Sequence, residues 1–120
     1  VDKIQINQIQ WDDPINAALA KSAGDDLPKI RYQVRKGLAQ LWLCESSEYR
    51  AHLVTRIDDN ELVIVCFEGS GVCQIMPLFI NRAKELNLSI RAHVTRKGFF
   101  KFAERLNFKL SEYVMRYDHG

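Results

Sequence analysis

No apolar run in the 120-residue sequence approaches the roughly 18 to 20 residues that a membrane-crossing helix needs, so no spanning segment is expected. Val1 to Gln10 alternate polar and apolar side chains instead of forming a charged and then a greasy leader, which points to a cytoplasmic protein. Cysteine is scarce. Cys44, Cys66 and Cys73 are odd in number and two of them sit in apolar segments, which argues against a disulfide framework and predicts reduced thiols. None of His52, His93 and His119 stands at a metal-ligand spacing from a cysteine or from another histidine, so no metal site is expected. Charge of one sign is also lacking. Seventeen basic against fifteen acidic residues leave a net +2, too little to announce a nucleic-acid or membrane partner from bulk electrostatics. Repeats, Ser/Gly linkers and breaks in composition are absent as well, and residues 1–120 read as a single domain.

What is present is an ordered series of hydrophobic periods. Lys3 to Ile9 alternate with period two, the pattern of a half-buried strand. Asp13-Pro14 supplies an N-cap and a proline at the first helical position, and Ile15, Ala18 and Leu19 recur at helical spacing before Gly24. Asp26-Leu27-Pro28 repeats that signal before Ile30, Val34 and Leu38, which predicts a second short helix ending near Gly37. Three apolar runs follow, Leu41–Cys44, Ala51–Thr55 and Leu62–Phe67, separated by turn residues, and a three-stranded antiparallel meander fits them. The third run is apolar on successive residues, so both its faces should be covered, as in a central strand.

Glu68-Gly69-Ser70-Gly71 then turns the chain into a helix marked by Ile75, Met76, Phe79, Ile80, Ala83 and Leu86, with Pro77 in its first turn. Leu88 to Val94 alternate again, Phe99, Phe102, Ala103 and Leu106 recur at helical spacing, and Phe108 to Tyr117 reads as a last strand. The predicted order is β-α-α-β-β-β-α-β-α-β, an α/β fold with a mixed sheet and helices on both faces. A strand, a crossover helix and a further strand in the second half demand parallel neighbours.

That order, with Leu62–Phe67 as the central strand, Gly69-Ser70-Gly71 leading into the helix that ends Arg82-Ala83-Lys84-Glu85-Leu86-Asn87, and Ala103-Glu104-Arg105-Leu106-Asn107-Phe108, resembles the GNAT (N-acetyltransferase) superfamily over about residues 38–117. The resemblance implies a single acyltransferase domain that binds acetyl-CoA in a cleft between two splayed strands and passes the acyl group to an amine-bearing acceptor. It implies cofactor contacts at Cys66, Phe67, Gly69, Ser70, Gly71 and Val72, where free helix N–H groups and glycines let a diphosphate approach the main chain. Arg96 and Lys97 would then meet the cofactor's 3′-phosphate. The sequence departs from the family's pattern at three places. Cys66 stands where the family's loop begins with Gln or Arg, Glu68 places a negative charge beside the glycines, and Ala103 occupies the position of the tyrosine that protonates the departing thiolate.

Read on their own, the same residues leave alternatives open. Gly69-Ser70-Gly71 also suits an ordinary strand-to-helix turn. Glu68 is either a general base raised by burial or a solvated loop carboxylate, and His93 is either a base titrating near neutrality or a strand histidine with an ordinary hydrogen bond. Tyr113 or Tyr117 either replaces the missing acid or packs on the sheet. Cys73, near a helix N-terminus, is either a stabilised thiolate or a packing residue. Between Arg91 and Lys109 six basic residues face one acidic residue, a local +5, so the rest of the chain is acidic by three. Arg96, Lys97, Lys101 and Arg105 form a basic helical stripe for a cofactor phosphate, a nucleic-acid backbone or solvent. Three readings remain: a transferase, a degenerate relative serving as a binding or structural protein, and a nucleic-acid binder, as monomer or homodimer.

Overall fold

A computed structural model describes residues 3–93, 108–111 and 114–117. The elements run β1 (Gln5–Ile9), α1 (Asp13–Ala23), a 3-10 turn (Gly24–Asp26), α2 (Leu27–Arg35), β2 (Gln40–Glu45), β3 (Arg50–Asp58), β4 (Glu61–Gly69), α3 (Val72–Glu85), β5 (Ser89–His93), β6 (Phe108–Ser111) and β7 (Val114–Tyr117). The helix expected around Phe99 to Leu106 lies outside the described residues.

The strands form one sheet in the order β1-β2-β3-β4-β5-β7-β6. β1 to β4 are antiparallel neighbours, with short turns joining β2, β3 and β4, whereas β4 and β5 are parallel and joined by the crossover helix α3. The consecutive apolar residues of β4 do occupy the middle of the sheet. α3 covers one face, burying Ile75, Met76, Phe79, Ile80 and Ala83 against Leu53, Leu62, Ile64, Ile90 and Ala92. Trp42 packs edge-on against Phe79, with ring centroids 6.1 Å apart, and its indole N–H donates to Thr55 Oγ1 at 2.9 Å, so the buried polar atoms are paired. α1 and α2 cover the other face, where Trp11, Ile15, Leu19 and Ile30 meet Leu41, Val54 and Cys66.

Three details differ from the sequence expectation. Pro77 lies inside α3, past its first turn, because the helix already starts at Val72. Asp12, not Asp13, is the N-cap of α1, which places Asp13 and Pro14 in the first turn, where a missing N–H costs nothing. The single strand read across Phe108 to Tyr117 is two antiparallel strands, with Phe108 opposite Tyr117 and Ser111 opposite Val114. The segment holds no Gly, Pro or Asn to announce a reversal, so its apolar residues look like one continuous strand.

α3 ends as its sequence dictates. Asn87 takes the left-handed conformation (φ 60°), and the amides of Leu88 and Asn87 donate back to the carbonyls of Ala83 and Lys84 at 2.8 and 3.1 Å. β4 and β5 are clamped at the end that follows. The Ser89 amide donates to the Asn60 carbonyl at 3.0 Å, and Arg91 reaches Asp58 at 3.3 Å and Glu61 at 3.8 Å.

Candidate active site

From that clamped end β4 and β5 run together for four residue pairs, Glu61 opposite Ser89 through Ile64 opposite Ala92, and no further. β4 continues for five more residues to Gly69. Residues 66–69 keep their antiparallel ladder with β3, and among the described residues the β4–β5 ladder ends at Ile64 opposite Ala92.

The β3–β4 register shifts between Val54 and Thr55, because Val54 pairs with Cys66 and Thr55 with Ile64, which leaves Val65 as an extra residue on β4. Ile64 and Phe67 pack in the α3 cluster, whereas Val65 and Cys66, although consecutive, both pack in the α1/α2 cluster. An inserted residue bends and over-twists its strand. The bulge comes where the described β4–β5 ladder ends.

The stretch of β4 past Ile64 leads directly to the start of α3. Gly69 has φ 135°, and a Cβ there would run into the Arg50 carbonyl and lie 2.5 Å from Ala51 Cα, so only glycine fits against β3. Gly71 is the N-cap of α3 in the left-handed region (φ 81°), and a Cβ there would fall 2.6 Å from Cγ of Tyr49. Tyr49 itself is held by the β2–β3 turn, where Ser46 accepts its amide at 3.1 Å and the Ser46 amide donates to its carbonyl at 2.8 Å. Ser70 is spent internally. Its amide donates to the Arg50 carbonyl at 3.0 Å, and its Oγ accepts the Arg50 amide at 3.1 Å. α3 carries no side-chain cap, and among the described residues no acceptor meets the amides of Gly71, Val72 and Cys73. Three donors at the positive end of a 14-residue helix thus remain unused at the end of that stretch.

The residues singled out from sequence fall into three groups. Cys66, Phe67, Gly69, Ser70, Gly71 and Val72 are contiguous along that stretch and its turn, but the Cys66 side chain is buried beneath α1 and contributes only main chain there. Glu68 pairs with His52 and alternates with Phe67, so its side chain belongs to the α1/α2 face, opposite α3. His93 ends β5, pairing with Val114, and stands on the other wall. Arg96, Lys97 and Tyr113 lie outside the described residues, as do Lys101 and Arg105 of the basic stripe.

Burial pushes the Cys66 thiol up to about 12, against hydrogen bonds from Ser22 and the Val54 backbone that favour the thiolate. It pushes Cys44 up to about 11. Both are inert packing residues, whereas Cys73 is exposed in the first turn of α3. His52, half-buried on β3, is a titratable group that sequence reasoning did not single out. Burial and the Arg50 charge hold its imidazole below the ordinary value, while Asp12 and Glu45 pull it up. Its position beside Glu68 follows from the bulged register, which no periodicity reveals.

No family model and no curated protein matches the sequence. Among solved structures the chain is similar to a Bacillus subtilis acetyltransferase in complex with CoA, with a TM-score of 0.71 at 11% identity over 91% of this chain and 78% of that one. The chain has the GNAT fold. A second similar structure is the PaiA N-acetyltransferase from Thermoplasma acidophilum in complex with coenzyme A, with a TM-score of 0.60 at 10% identity over 98% and 99% of the two chains. Among the described residues no group of His, Cys, Asp and Glu is placed to hold a metal ion, and no helix is long and apolar enough to cross a membrane.

Proposed function

We propose that the protein is an acyl-CoA-dependent N-acetyltransferase acting on an amine. One observation carries this reading: among the described residues the β4–β5 ladder ends beside the Val65 bulge, and β4 then runs on to a helix N-terminus with three unused amides. An extended chain with amide groups can add to an unpaired strand edge, and a diphosphate suits free helix N–H groups beside two glycines. The residues present therefore fit coenzyme A. The edge of β4 from Val65 to Phe67 would hold the pantetheine arm, and Gly71, Val72 and Cys73 would hold the diphosphate through their main chain. Arg96 and Lys97 remain our candidates for the 3′-phosphate.

The fit has a chemical rationale. Glu68, whose charge would repel a diphosphate, belongs to the opposite face of the sheet, and Ser70, whose amide is engaged, braces the turn against β3. Coenzyme A supplies an acyl group activated as a thioester. The chain must then present an acceptor nitrogen in its unprotonated form, polarise the carbonyl and let the sulfur leave. An unpaired main-chain N–H on β4 serves the second task without a side chain. His93 on the far wall and Tyr113 beyond β6 are the candidates for meeting the leaving sulfur in place of the tyrosine that Ala103 replaces.

Similarity to two CoA-bound acetyltransferases supports the assignment of the donor and leaves the acceptor to be found. Isothermal titration with acetyl-CoA provides the test: saturable heat is expected, and its absence at millimolar acetyl-CoA ends the transferase reading.

A further inference from the structure

On the face that carries α1 and α2, the row Ile9, Leu41, Val54, Cys66 is apolar and covered by the helices. The next row toward the α3 end of β4 is Asn7, Leu43, His52, Glu68, one residue from each strand, ending on the strand that leads into α3. Beyond it stand Gln5, Glu45 and Arg50. The helical cover thus gives way to mostly polar side chains at a level past the last described β4–β5 pair. His52 is one strand spacing, about 4.8 Å, from β4, and neither of its ring nitrogens is hydrogen-bonded to a described residue.

We infer that His52 takes the proton from the acceptor amine, a role that rests on the transferase reading above. The nitrogen's lone pair forms the N–C bond while the C–S pair leaves with sulfur as thiolate, and the proton shed by nitrogen passes to the imidazole, which becomes cationic. Charge and atoms balance without a further reactant. Glu45 and Asp12 stabilise that cation, while Arg50 opposes it. Glu68 is then a neighbour of the base and not the base itself.

The groups that set the titration of His52 are Arg50 on its own strand, Glu45 on β2 and Asp12 ahead of α1, and Glu68 stands opposite it on β4. Because the imidazole is held below its ordinary value, it is neutral and able to accept a proton at pH 7. The test uses the full chain, acetyl-CoA and n-butylamine as an unhindered primary amine. Wild type, H52Q and H52N are compared for CoA binding by calorimetry, for kcat/KM as a function of pH, and, with labelled histidine, for ring titration by NMR. His52 is only half covered, so both variants should fold, and their CoA affinity should equal that of wild type. The expected result is a fall in kcat/KM of about 10²- to 10⁴-fold, the span a general base contributes, together with loss of the acidic limb. In R50Q that limb and the His52 ring titration should both move to higher pH, and in E45Q both should move lower.

An H52Q protein that keeps the rate and the limb overturns the inference, as does a limb that neither charge variant displaces. So does a wild type that binds CoA yet transfers nothing to n-butylamine at pH 8. Failure of wild type to bind CoA at all is a different result, which removes the transferase reading and the base with it.

Discussion

Gly71 concentrates three constraints in one residue. It caps α3, it holds a left-handed backbone, and its missing Cβ leaves room for the Tyr49 ring that the β2–β3 turn presses against it. Gly71→Ala should therefore cost roughly 1–3 kcal/mol, the range for a residue forced into an unfavourable backbone region with steric displacement added. The measurement is a urea midpoint at an unchanged m-value. An alanine variant as stable as wild type would show that the ring and the cap move apart freely. The thiols make a second residue-scale prediction. One equivalent of a thiol reagent should react quickly with the native protein, at Cys73, and the other two only after unfolding. Cys44 and Cys66 are raised in the folded state to about 11 and about 12, so the unfolded chain sheds these protons first. The stability they contribute is whole below the ordinary thiol value of about 8.5 and is lost as pH rises through the folded values. Thermal midpoints should fall steadily above about pH 9, and less steeply in C66A. The sequence showed that these cysteines sit in apolar runs and offered Gly69 and Gly71 as a turn. It did not show Tyr49, which is remote in sequence and meets Gly71 only through the β2–β3 hairpin.

At the scale of elements, β4 carries the consequence of a single extra residue. Val65 and Cys66 share a face, so deleting Val65 leaves the alternation of Ile64, Cys66 and Phe67 intact and brings Thr55–Ile64 and Val54–Cys66 into continuous register. ΔVal65 should fold with unchanged secondary structure by circular dichroism. Its β4 would lack the bend, so pairing with β5 should extend past Ile64 and CoA affinity should fall by at least about tenfold, equivalent to 1.4 kcal/mol. Retention of full affinity would mean that something other than the bulge ends that pairing. Most of the elements were legible in the sequence because their signals are periodic. The α1 prolyl first turn, the apolar stripe of α3 and the meander of β2, β3 and β4 each follow from spacing within one segment. A bulge inside Leu62–Phe67 was not legible, since a run of consecutive apolar residues reads the same with or without one inserted. The β6–β7 reversal was hidden for a related reason: the segment from Phe108 to Tyr117 holds no Gly, Pro or Asn to mark it.

At the scale of the whole molecule, the described central strand pair is clamped at one end and its ladder stops at Ile64 toward the other, with apolar cover on both faces. Arg91 with Asp58 and Glu61 holds the clamped end, and a ligand held past Ile64 would tie β4 to β5. A ligand that binds only the folded chain stabilises it by about 2.7 kcal/mol at a hundredfold excess over its dissociation constant. At roughly 2–8 °C per kcal/mol for domains bracketing this size, acetyl-CoA at that excess should raise the thermal midpoint of wild type by about 5–20 °C. The same concentration should raise the ΔVal65 midpoint by no more than about half as much, since a tenfold weaker affinity leaves about 1.4 kcal/mol of stabilisation. H52Q separates binding from chemistry: it should show the full wild-type shift, because His52 belongs to the acceptor side of the sheet and not to the cradle at α3. A wild-type midpoint that does not move at all, in a chain that melts cooperatively, would mean that this GNAT fold has lost its cofactor and that the scaffold alone has been kept.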